Sequence, residues 1–269
     1  MMETNQKPII KVSNLTKKYG SLTAVDNISF TVETGEVFAF LGPNGAGKTT
    51  AIKMLTTLLD PTNGSVLLNG YNPVQEQSAA RSSFGIVFQD PSLDDVLTAY
   101  ENMYFHAMLY KIPKNIRQER IKNLLELVKL WNRRNEQVKK FSGGMKRRLE
   151  IARGLLHLPD ILFLDEPTLG LDPQTRNLIW EYIYDLNKQE KTTIFLTTHI
   201  MEEAERMADT VAIIDEGKII KMGSPQQLCE HTETTTLEEA FLSLTGKTIR
   251  EEGPDNGRQI FRNMALRRK

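Results

Sequence analysis

Residues 42–49 read Gly-Pro-Asn-Gly-Ala-Gly-Lys-Thr and follow the apolar run Val37–Leu41. The next segment has Ile52, Leu55 and Leu59 at the spacing of one helix face. A strand, a glycine-rich turn and a helix in this order are typical of a phosphate-binding loop, G-x-x-x-x-G-K-[ST]. Glycines let backbone N–H groups turn inward around phosphate oxygens, and the helix N-terminus adds its partial positive charge. The residues predicted to cradle phosphates are Gly42, Pro43, Asn44, Gly45, Ala46, Gly47, Lys48, Thr49 and Thr50.

Such a loop also needs a carboxylate directed at a metal ion. The apolar run Ile161–Leu164 ends in Asp165 and Glu166, which places two acids at the carboxyl end of a buried strand, where open α/β sheets bind ligands. We expect Lys48 to reach the β- and γ-phosphates and Thr49 to offer its hydroxyl to Mg²⁺. Asp165 suits the Mg²⁺ shell, and Glu166 suits the polarisation of an attacking water.

The order of apolar patterns predicts an α/β fold. Continuous apolar runs indicate strands covered on both faces, as in a mostly parallel sheet, whereas the alternation near the N-terminus indicates antiparallel strands. Helical spacing between the runs predicts βαβ units. Residues 90–155 interrupt this rhythm and are predicted to be an inserted helical subdomain. The continuous runs are Val37–Leu41, Ile86–Phe88, Ile161–Leu164, Thr193–Leu196 and Val211–Ile214.

Composition argues against a nucleic-acid-coating, a membrane-spanning or a disulfide-bonded protein. The chain has 269 residues, and Lys plus Arg and Asp plus Glu each number 34, so it lacks the basic surplus of proteins that coat nucleic acid. The mean hydropathy is −0.36 and no apolar run approaches 18 residues, so no transmembrane helix is predicted. The N-terminus has no signal-peptide pattern, and the single cysteine, Cys229, excludes an internal disulfide. We therefore expect a reducing, cytosolic compartment.

The C-terminal part is predicted to be a short extension, residues 226–269, on the domain of residues 1–225 that carries the phosphate loop. Leu237, Ala240, Phe241 and Leu244 predict one amphipathic helix in it. After that helix the chain is expected to be a frayed basic tail. His106, His157, His231 and Cys229 have no ligand spacing, so no role is assigned to them.

Further motifs occur in order around the phosphate loop: Lys18-Tyr19-Gly20, Gln89, Phe141-Ser-Gly-Gly-Met145, Leu169-Gly-Leu-Asp172 and Thr197-Thr-His199. Ser142-Gly143-Gly144 precedes an Arg- and Leu-rich helix, so it lies at a helix N-terminus that suits an anion. Together these motifs make residues 9–225 resemble the nucleotide-binding subunit of an ATP-binding-cassette (ABC) transporter. The resemblance implies ATP and Mg²⁺ as ligands.

The resemblance also implies a role for each matched residue. Tyr19 stacks on adenine, and His199 holds the γ-phosphate. Gln89 joins Thr49 and Asp165 at Mg²⁺. Glu166 is the general base toward water, so that Glu166, His199 and Gln89 are the residues assigned to catalysis.

In this family the signature motif of one subunit closes over ATP held by its partner. The chain has one phosphate loop and one signature, so the resemblance implies a dimer of cassettes. A homodimer is the simpler expectation, and a paralogous partner is the alternative. Ser142, Gly143 and Gly144 are implied to bind the partner's ATP, and Asp172 is implied to help join the subunits.

Two departures from the common motifs point to one branch. Met145 stands where many cassettes have Gln, and Leu169 stands where Ser is frequent. These residues, with Thr198-His-Ile-Met-Glu-Glu-Ala204 and the segment Thr236–Gly246, resemble the daunorubicin-resistance type of exporter ATPase. That branch pairs its ATPase with a separate polytopic membrane subunit.

We therefore expect a multidrug- or lipid-exporter type of ATPase on the cytoplasmic face of the membrane, docked to a permease through residues near Gln89–Tyr110. The candidate contacts are Asp94, Val96, Tyr100, Met103 and Tyr104. The alternative is a soluble cassette ATPase acting on nucleic acid or ribosomes, but the chain has no second cassette, coiled-coil insert or basic arm of that class. A GTPase would need Asn-Lys-x-Asp, and Asn187-Lys188-Gln189-Glu190 lacks the Asp. A small-molecule kinase would not need the Ser142–Gly144 motif.

Overall fold

The computed structural model describes residues 8–89 and 92–246. Its strands are β1 (Ile10–Tyr19), β2 (Leu22–Val32), β3 (Val37–Leu41), β4 (Asn63–Leu68), β5 (Phe84–Val87), β6 (Ile161–Asp165), β7 (Thr193–Thr198), β8 (Thr210–Asp215) and β9 (Lys218–Gly223). Its helices are α1 (Lys48–Leu55), α2 (Gln77–Ser83), α3 (Ala99–Leu109), α4 (Lys114–Leu127), α5 (Gly143–Gly154), α6 (Pro173–Glu190), α7 (Met201–Met207), α8 (Pro225–Thr232) and α9 (Leu237–Thr245).

The main sheet has six strands in the order β5-β6-β7-β3-β8-β9. Its neighbours are parallel except β8 and β9, which form an antiparallel hairpin. Every residue of β3, β6 and β7 is buried, which explains the continuous apolar runs Val37–Leu41, Ile161–Leu164 and Ile194–Leu196 within them. Because parallel strands end at one edge, this sheet brings the phosphate loop, the two acids and His199 together.

A second sheet, with the order β2-β1-β4, is antiparallel and covers one face of the first. Phe30 of this sheet stacks on Phe38 with ring centroids 5.2 Å apart, and Phe38 stacks on Phe195 at 5.4 Å. The alternating pattern of β1 and β2 arises because only one face of the small sheet enters this core. The predicted α/β fold with N-terminal antiparallel strands is confirmed.

The predicted helical insertion consists of α3, α4 and α5 around a core of its own. Met103, Ile121 and Leu125 are fully buried in that core. Helix α5 is shared, because Leu149 faces the helical core while Ile151 faces the core of the main sheet. The burial of Met103 corrects its selection as a docking residue, because it packs inside the subdomain.

Strand β5 and helix α1 differ slightly from the sequence prediction. The strand covers Phe84–Val87 instead of Ile86–Phe88, and α1 ends at Leu55, so Leu59 packs on the core from beyond the helix. A Cβ on Gly85 would lie 2.2 Å from the carbonyl oxygen of Gly154. The start of the strand is therefore set by the close approach of α5, which an apolar pattern does not record.

The C-terminal extension contains two helices in the described residues, where the sequence predicted one. Helix α8 was missed because Leu228 is its one buried residue, although Ser224 and Gln227 form a capping box at its start. Leu228, Leu237 and Phe241 join the core of the main sheet. The predicted basic tail lies outside the described residues, and the domain boundary at residue 225 stays a prediction. No helix within residues 8–89 and 92–246 has the length and apolar composition needed to cross a membrane.

Candidate nucleotide site

The phosphate loop connects β3 to α1 in a conformation that requires glycine. Gly45 and Gly47 have φ angles of 82° and 102°, in the left-handed region. A Cβ on Gly47 would also lie 2.4 Å from the carbonyl oxygen of Ala24. Helix α1 begins at Lys48, so its N-terminus adjoins the loop and its free N–H groups can face an anion.

Lys48 is buried and has three partners. Its Nζ donates to the carbonyl oxygens of Gly42 (2.8 Å) and Pro43 (3.1 Å) and forms an ion pair with Oε1 of Glu166 at 3.3 Å. Burial lowers the pKa of Lys48, and the nearby carboxylates of Glu166 and Asp165 offset part of that effect. Lys48 therefore lies under the loop and is paired with the carboxylate of Glu166.

Asp165 is buried behind the loop and faces hydroxyl groups. Thr197 Oγ1 donates to its Oδ1 at 2.6 Å, and Thr49 Oγ1 does so at 3.4 Å. Burial raises the pKa of Asp165, although the hydrogen bond from Thr197 opposes this. Within the described residues, no group of three or more His, Cys, Asp or Glu side chains could hold a metal ion. A metal here would combine hydroxyl and carboxylate oxygens with ligands from the substrate or water.

Glu166 lies in the turn after β6 with a φ of 46°, in the left-handed region that residues other than glycine rarely adopt. Its backbone N–H donates to the carbonyl oxygen of Thr197 at 3.1 Å. Its Oε1 is 3.3 Å from both Lys48 Nζ and His199 Nδ1. Burial raises the pKa of Glu166, but the hydrogen bond to His199 and the charge of Lys48 outweigh burial and lower it. The carboxylate is therefore ionised at neutral pH.

Lys48, Thr49 and Glu166 line one open cavity of about 500 Å³, whereas Asp165 lies behind its wall. Three predicted site residues from distant parts of the sequence also line this cavity, next to the phosphate loop: Tyr19, Gln89 and His199. Tyr19 is 46% exposed at the end of β1, and Lys17 Nζ lies 5.4 Å from its ring centre. The lining residues are Tyr19, Leu22, Ala24, Asn44, Gly45, Gly47, Lys48, Thr49, Thr50, Gln89, Glu166, Leu169 and His199.

The signature residues and Asp172 lie outside this cavity. Ser142 caps α5 by accepting from the backbone N–H of Met145 at 3.3 Å. Asp172 caps α6, accepting from the backbone N–H and the hydroxyl of Thr175 at 3.0 and 2.7 Å. Those two hydrogen bonds lower the pKa of Asp172. Gly143 and Gly144 form the first turn of α5.

The sequence analysis missed Glu203, a buried carboxylate beside the site. Thr168, in the loop after Glu166, donates to its Oε1, and Thr198 donates to its Oε2 at 3.1 Å. Arg176 Nε lies 3.7 Å from the same carboxylate. Glu203 thus ties the loop after β6 to the residue before His199. In sequence it resembles an ordinary acid in the first turn of a helix. The buried Arg147 on α5 was missed as well.

The chain matches the family described as "ABC transporter" over residues 25–169. It is 44% identical to the Nod factor export ATP-binding protein I of Ralstonia nicotianae, with 83% of this chain and 70% of that protein covered. It is 41% identical to the linearmycin resistance ATP-binding protein LnrL of Bacillus subtilis, with 82% and 71% covered. Both names agree with the exporter branch predicted from the sequence.

Solved structures give the same assignment. The ATP-binding subunit of an ABC transporter superposes with a TM-score of 0.80 at 31% identity, covering 88% of this chain and 99% of that one. A dimeric ATP-binding cassette in a post-hydrolysis state, bound to ADP and Pi, gives 0.73 at 27% identity, covering 80% and 98%. The chain is therefore an ATP-binding, ATP-hydrolysing subunit of the ABC transporter family.

Proposed function

We propose that this chain powers export through a separate membrane permease by hydrolysing ATP at a site shared between two cassettes. The observation that carries the proposal is the position of Glu166, whose Oε1 lies 3.3 Å from both Lys48 and His199 on the wall of the cavity. A carboxylate, a cation and an imidazole next to a phosphate loop supply a base and positive groups for a developing phosphate charge.

ATP would bind with its phosphates against the loop and its adenine on Tyr19. Lys48 would then exchange the carboxylate of Glu166 for phosphate oxygens, and Glu166 would be free to accept a proton from water. That water attacks the γ-phosphorus, the bond to the bridging oxygen breaks, and ADP leaves with that electron pair. The lowered pKa of Glu166 supports this role, because only the ionised carboxylate can take the proton.

Mg²⁺ fits the oxygen donors around Thr49, which lines the cavity. Thr49 Oγ1 and Asp165 Oδ1 are 3.4 Å apart, and Gln89 lines the same cavity. When bound, the metal neutralises charge on the β- and γ-phosphates. Asp165 and Thr197 keep the ligand oxygens oriented, because the hydroxyl of Thr197 donates to the same Oδ1.

A homodimer would complete each site with the partner's signature. Ser142 and Gly143 are exposed at the N-terminus of α5, and Gly143 would accept a Cβ without any contact within 4 Å, so this surface is open. Ser142, Gly143 and Gly144 would bind the γ-phosphate across the interface, and Asp172 would help join the subunits. The dimeric state of the related cassette bound to ADP and Pi supports this arrangement.

The proposed permease would dock on the helical subdomain at the cytoplasmic face of the membrane. Val96, Phe105 and Leu109 are 64%, 50% and 76% exposed, so this subdomain carries large apolar side chains on its surface. The names of the two relatives, which specify export and resistance, support the direction of transport.

The test is Glu166→Gln, which keeps the side-chain shape and removes the base. ATP turnover should fall at least about 100-fold, the range expected for loss of a general base, while ATP-bound dimers persist in light scattering. Glu181→Gln, an exposed site on α6, is the matched control. Loss of ATP binding in Glu166→Gln would contradict the assignment, because the carboxylate is proposed to act on water.

A further inference from the structure

Helix α5 presents three charged side chains toward the catalytic segments, one at each successive turn: Arg147, Glu150 and Arg153. We propose that Arg147 is a positioning residue for ATP hydrolysis, which fixes the segment that carries Gln89 relative to the segment that carries Glu166, with Glu150 as its partner.

All five N–H groups of the Arg147 guanidinium have an acceptor. Four of the acceptors are backbone carbonyls of the two catalytic segments, and the fifth is a carboxylate. Nε donates to Pro167 O (2.7 Å), Nη2 donates to Asp165 O (2.9 Å) and Glu166 O (3.0 Å), and Nη1 donates to Phe88 O and faces Glu150 Oε2 at 3.4 Å. One side chain thus binds the residue before Gln89 and the backbone of the catalytic acids.

The same face of α5 also binds the chain after Gln89. Glu150 Oε1 accepts from the backbone N–H of Ser92 at 2.7 Å. Arg153 Nη1 donates to the carbonyl oxygen of Ser92 at 2.8 Å, and its Nη2 donates to the Ser92 hydroxyl. Gln89 is therefore flanked on both sides by residues held by α5. The position of Gln89 therefore depends on helix α5 as well as on strand β5.

Burial makes these contacts specific for arginine. Arg147 is 7% exposed and Glu150 is 2% exposed, so neither charge can exchange its partners for bulk water. A lysine has three donors on a single rotating tip and cannot satisfy five acceptors spread over a planar fork. Arg147→Lys therefore keeps the charge while leaving backbone carbonyls unpaired.

Arg147 also connects the two ATP sites of a dimer, and this step rests on the proposed function. The helix that carries Arg147 begins at the signature residues Ser142–Gly144, which are proposed to bind the partner's ATP. Any shift of α5 on engaging that ATP moves the guanidinium, and so moves the carbonyls of Phe88 and Glu166. Binding at one site would thereby adjust the base and Gln89 of the other.

The first measurement compares Arg147→Lys and Glu150→Gln with wild type for kcat and for ATP affinity. We expect Arg147→Lys to lower kcat at least about tenfold, which is 1.4 kcal/mol, and to change the ATP dissociation constant less than about threefold. The affinity should survive because the hydrogen bonds of Arg147 go to segments outside the phosphate loop. Glu150→Gln should give a smaller loss of the same kind.

Arg120→Lys is the matched control, because Arg120 donates to a backbone carbonyl, that of Leu156, near the far end of α5. Its kcat should stay at the wild-type value. Arg147→Lys combined with Gln89→Ala should lose less activity than the sum of the two single losses, since both act on one segment. Full additivity, an unchanged kcat in Arg147→Lys, or parallel losses of ATP affinity and kcat would overturn the proposal.

Hydrogen exchange separates this proposal from the proposed function, because it needs no turnover. In Arg147→Lys the amides of residues 84–89 and 165–169 should exchange faster than in wild type, while those of residues 42–49 should not change. Unchanged exchange in both catalytic segments would overturn the role of Arg147 even if the wild type hydrolyses ATP. Faster exchange there with an inactive wild type would instead contradict the proposed function alone.

Discussion

At the residue scale, the central feature is the contact between Lys48 and Glu166 at 3.3 Å. Each residue also contacts another group: Lys48 donates to a loop carbonyl oxygen, and the Glu166 carboxylate lies next to the His199 ring. A buried lysine that leaves a carboxylate for a phosphate keeps its charge neutralised throughout. When Lys48 binds phosphate it would leave Glu166, so that phosphate binding and release of the carboxylate base would occur in the same step.

This exchange predicts the effect of Lys48→Ala. ATP affinity should fall at least about tenfold, because a charge-assisted contact with phosphate is lost from a buried position. The measurement is calorimetric titration with ATP. Lys53→Ala is the control, because Lys53 is exposed on the same helix α1. An unchanged affinity in Lys48→Ala would contradict its role in binding phosphate.

The sequence predicted most residues of the site because they belong to local patterns. The phosphate loop, Asp165 and Glu166 can each be recognised from a short sequence motif of adjacent residues. Glu203 and Arg147 could not be found in this way, because their partners lie far along the chain and are largely backbone carbonyls or hydroxyls. Nothing in the local sequence separates such a buried charge from a solvated one.

At the element scale, the strands of the main sheet were predictable because burial on both faces makes them continuously apolar. The helix α8 was not, because it contributes Leu228 alone to the core. The start of β5 could not be predicted either, because it depends on the approach of the Gly154 carbonyl to Gly85. Close packing between elements is a tertiary property that periodicity does not encode.

The junction of α3 and α5 predicts a pH dependence of stability. His106 packs on Tyr110, which stacks on His157 with centroids 3.8 Å apart. Burial, with the charges of Arg153 and His157, lowers the pKa of His106 from 6.5 to about 4. Burial also lowers the pKa of His157. The unfolded chain therefore binds more protons than the folded chain between these pH values, so stability falls as pH drops from 6.5 toward 4.

The test is urea unfolding at pH 7.5 and at pH 5, two values chosen on either side of about 6.5. His106→Phe keeps an aromatic ring against Tyr110 and removes the titrating nitrogens, so it should lose about 1–2 kcal/mol less stability on acidification than wild type. His231→Gln, at an exposed position of α8, should match the wild-type loss. An equal loss in His106→Phe and wild type would show that this histidine does not carry the effect.

At the scale of the whole molecule, the nucleotide cavity and the signature occupy separate parts of the surface. The cavity lies at the carboxyl edge of the main sheet, while Ser142 and Gly143 are exposed at the start of α5 and do not line it. Under the proposed function, one chain would present two half-sites. The sequence predicted this separation through the family resemblance, whereas it could not specify which second chain joins them.

Shared sites predict complementation between two inactive variants. Ser142→Arg blocks the signature and Lys48→Ala weakens the phosphate loop, so each homodimer has no intact site. A mixed dimer has one intact phosphate loop facing one intact signature, and limited ATPase activity should return on mixing. The measurement is turnover against mixing ratio, with mixed dimers confirmed by a tag on one variant. Inactivity at every ratio, with mixed dimers present, would contradict shared sites.

The most direct test of the central claim is co-purification of the tagged full chain from its native membranes in mild detergent, with the bound proteins identified. We predict a polytopic membrane protein in stoichiometric amount, recovered equally with the Glu166→Gln variant because docking does not need turnover. Recovery of the chain in the soluble fraction alone, bound to ribosomes or nucleic acid, would leave the ATPase site in place and contradict its role in transport.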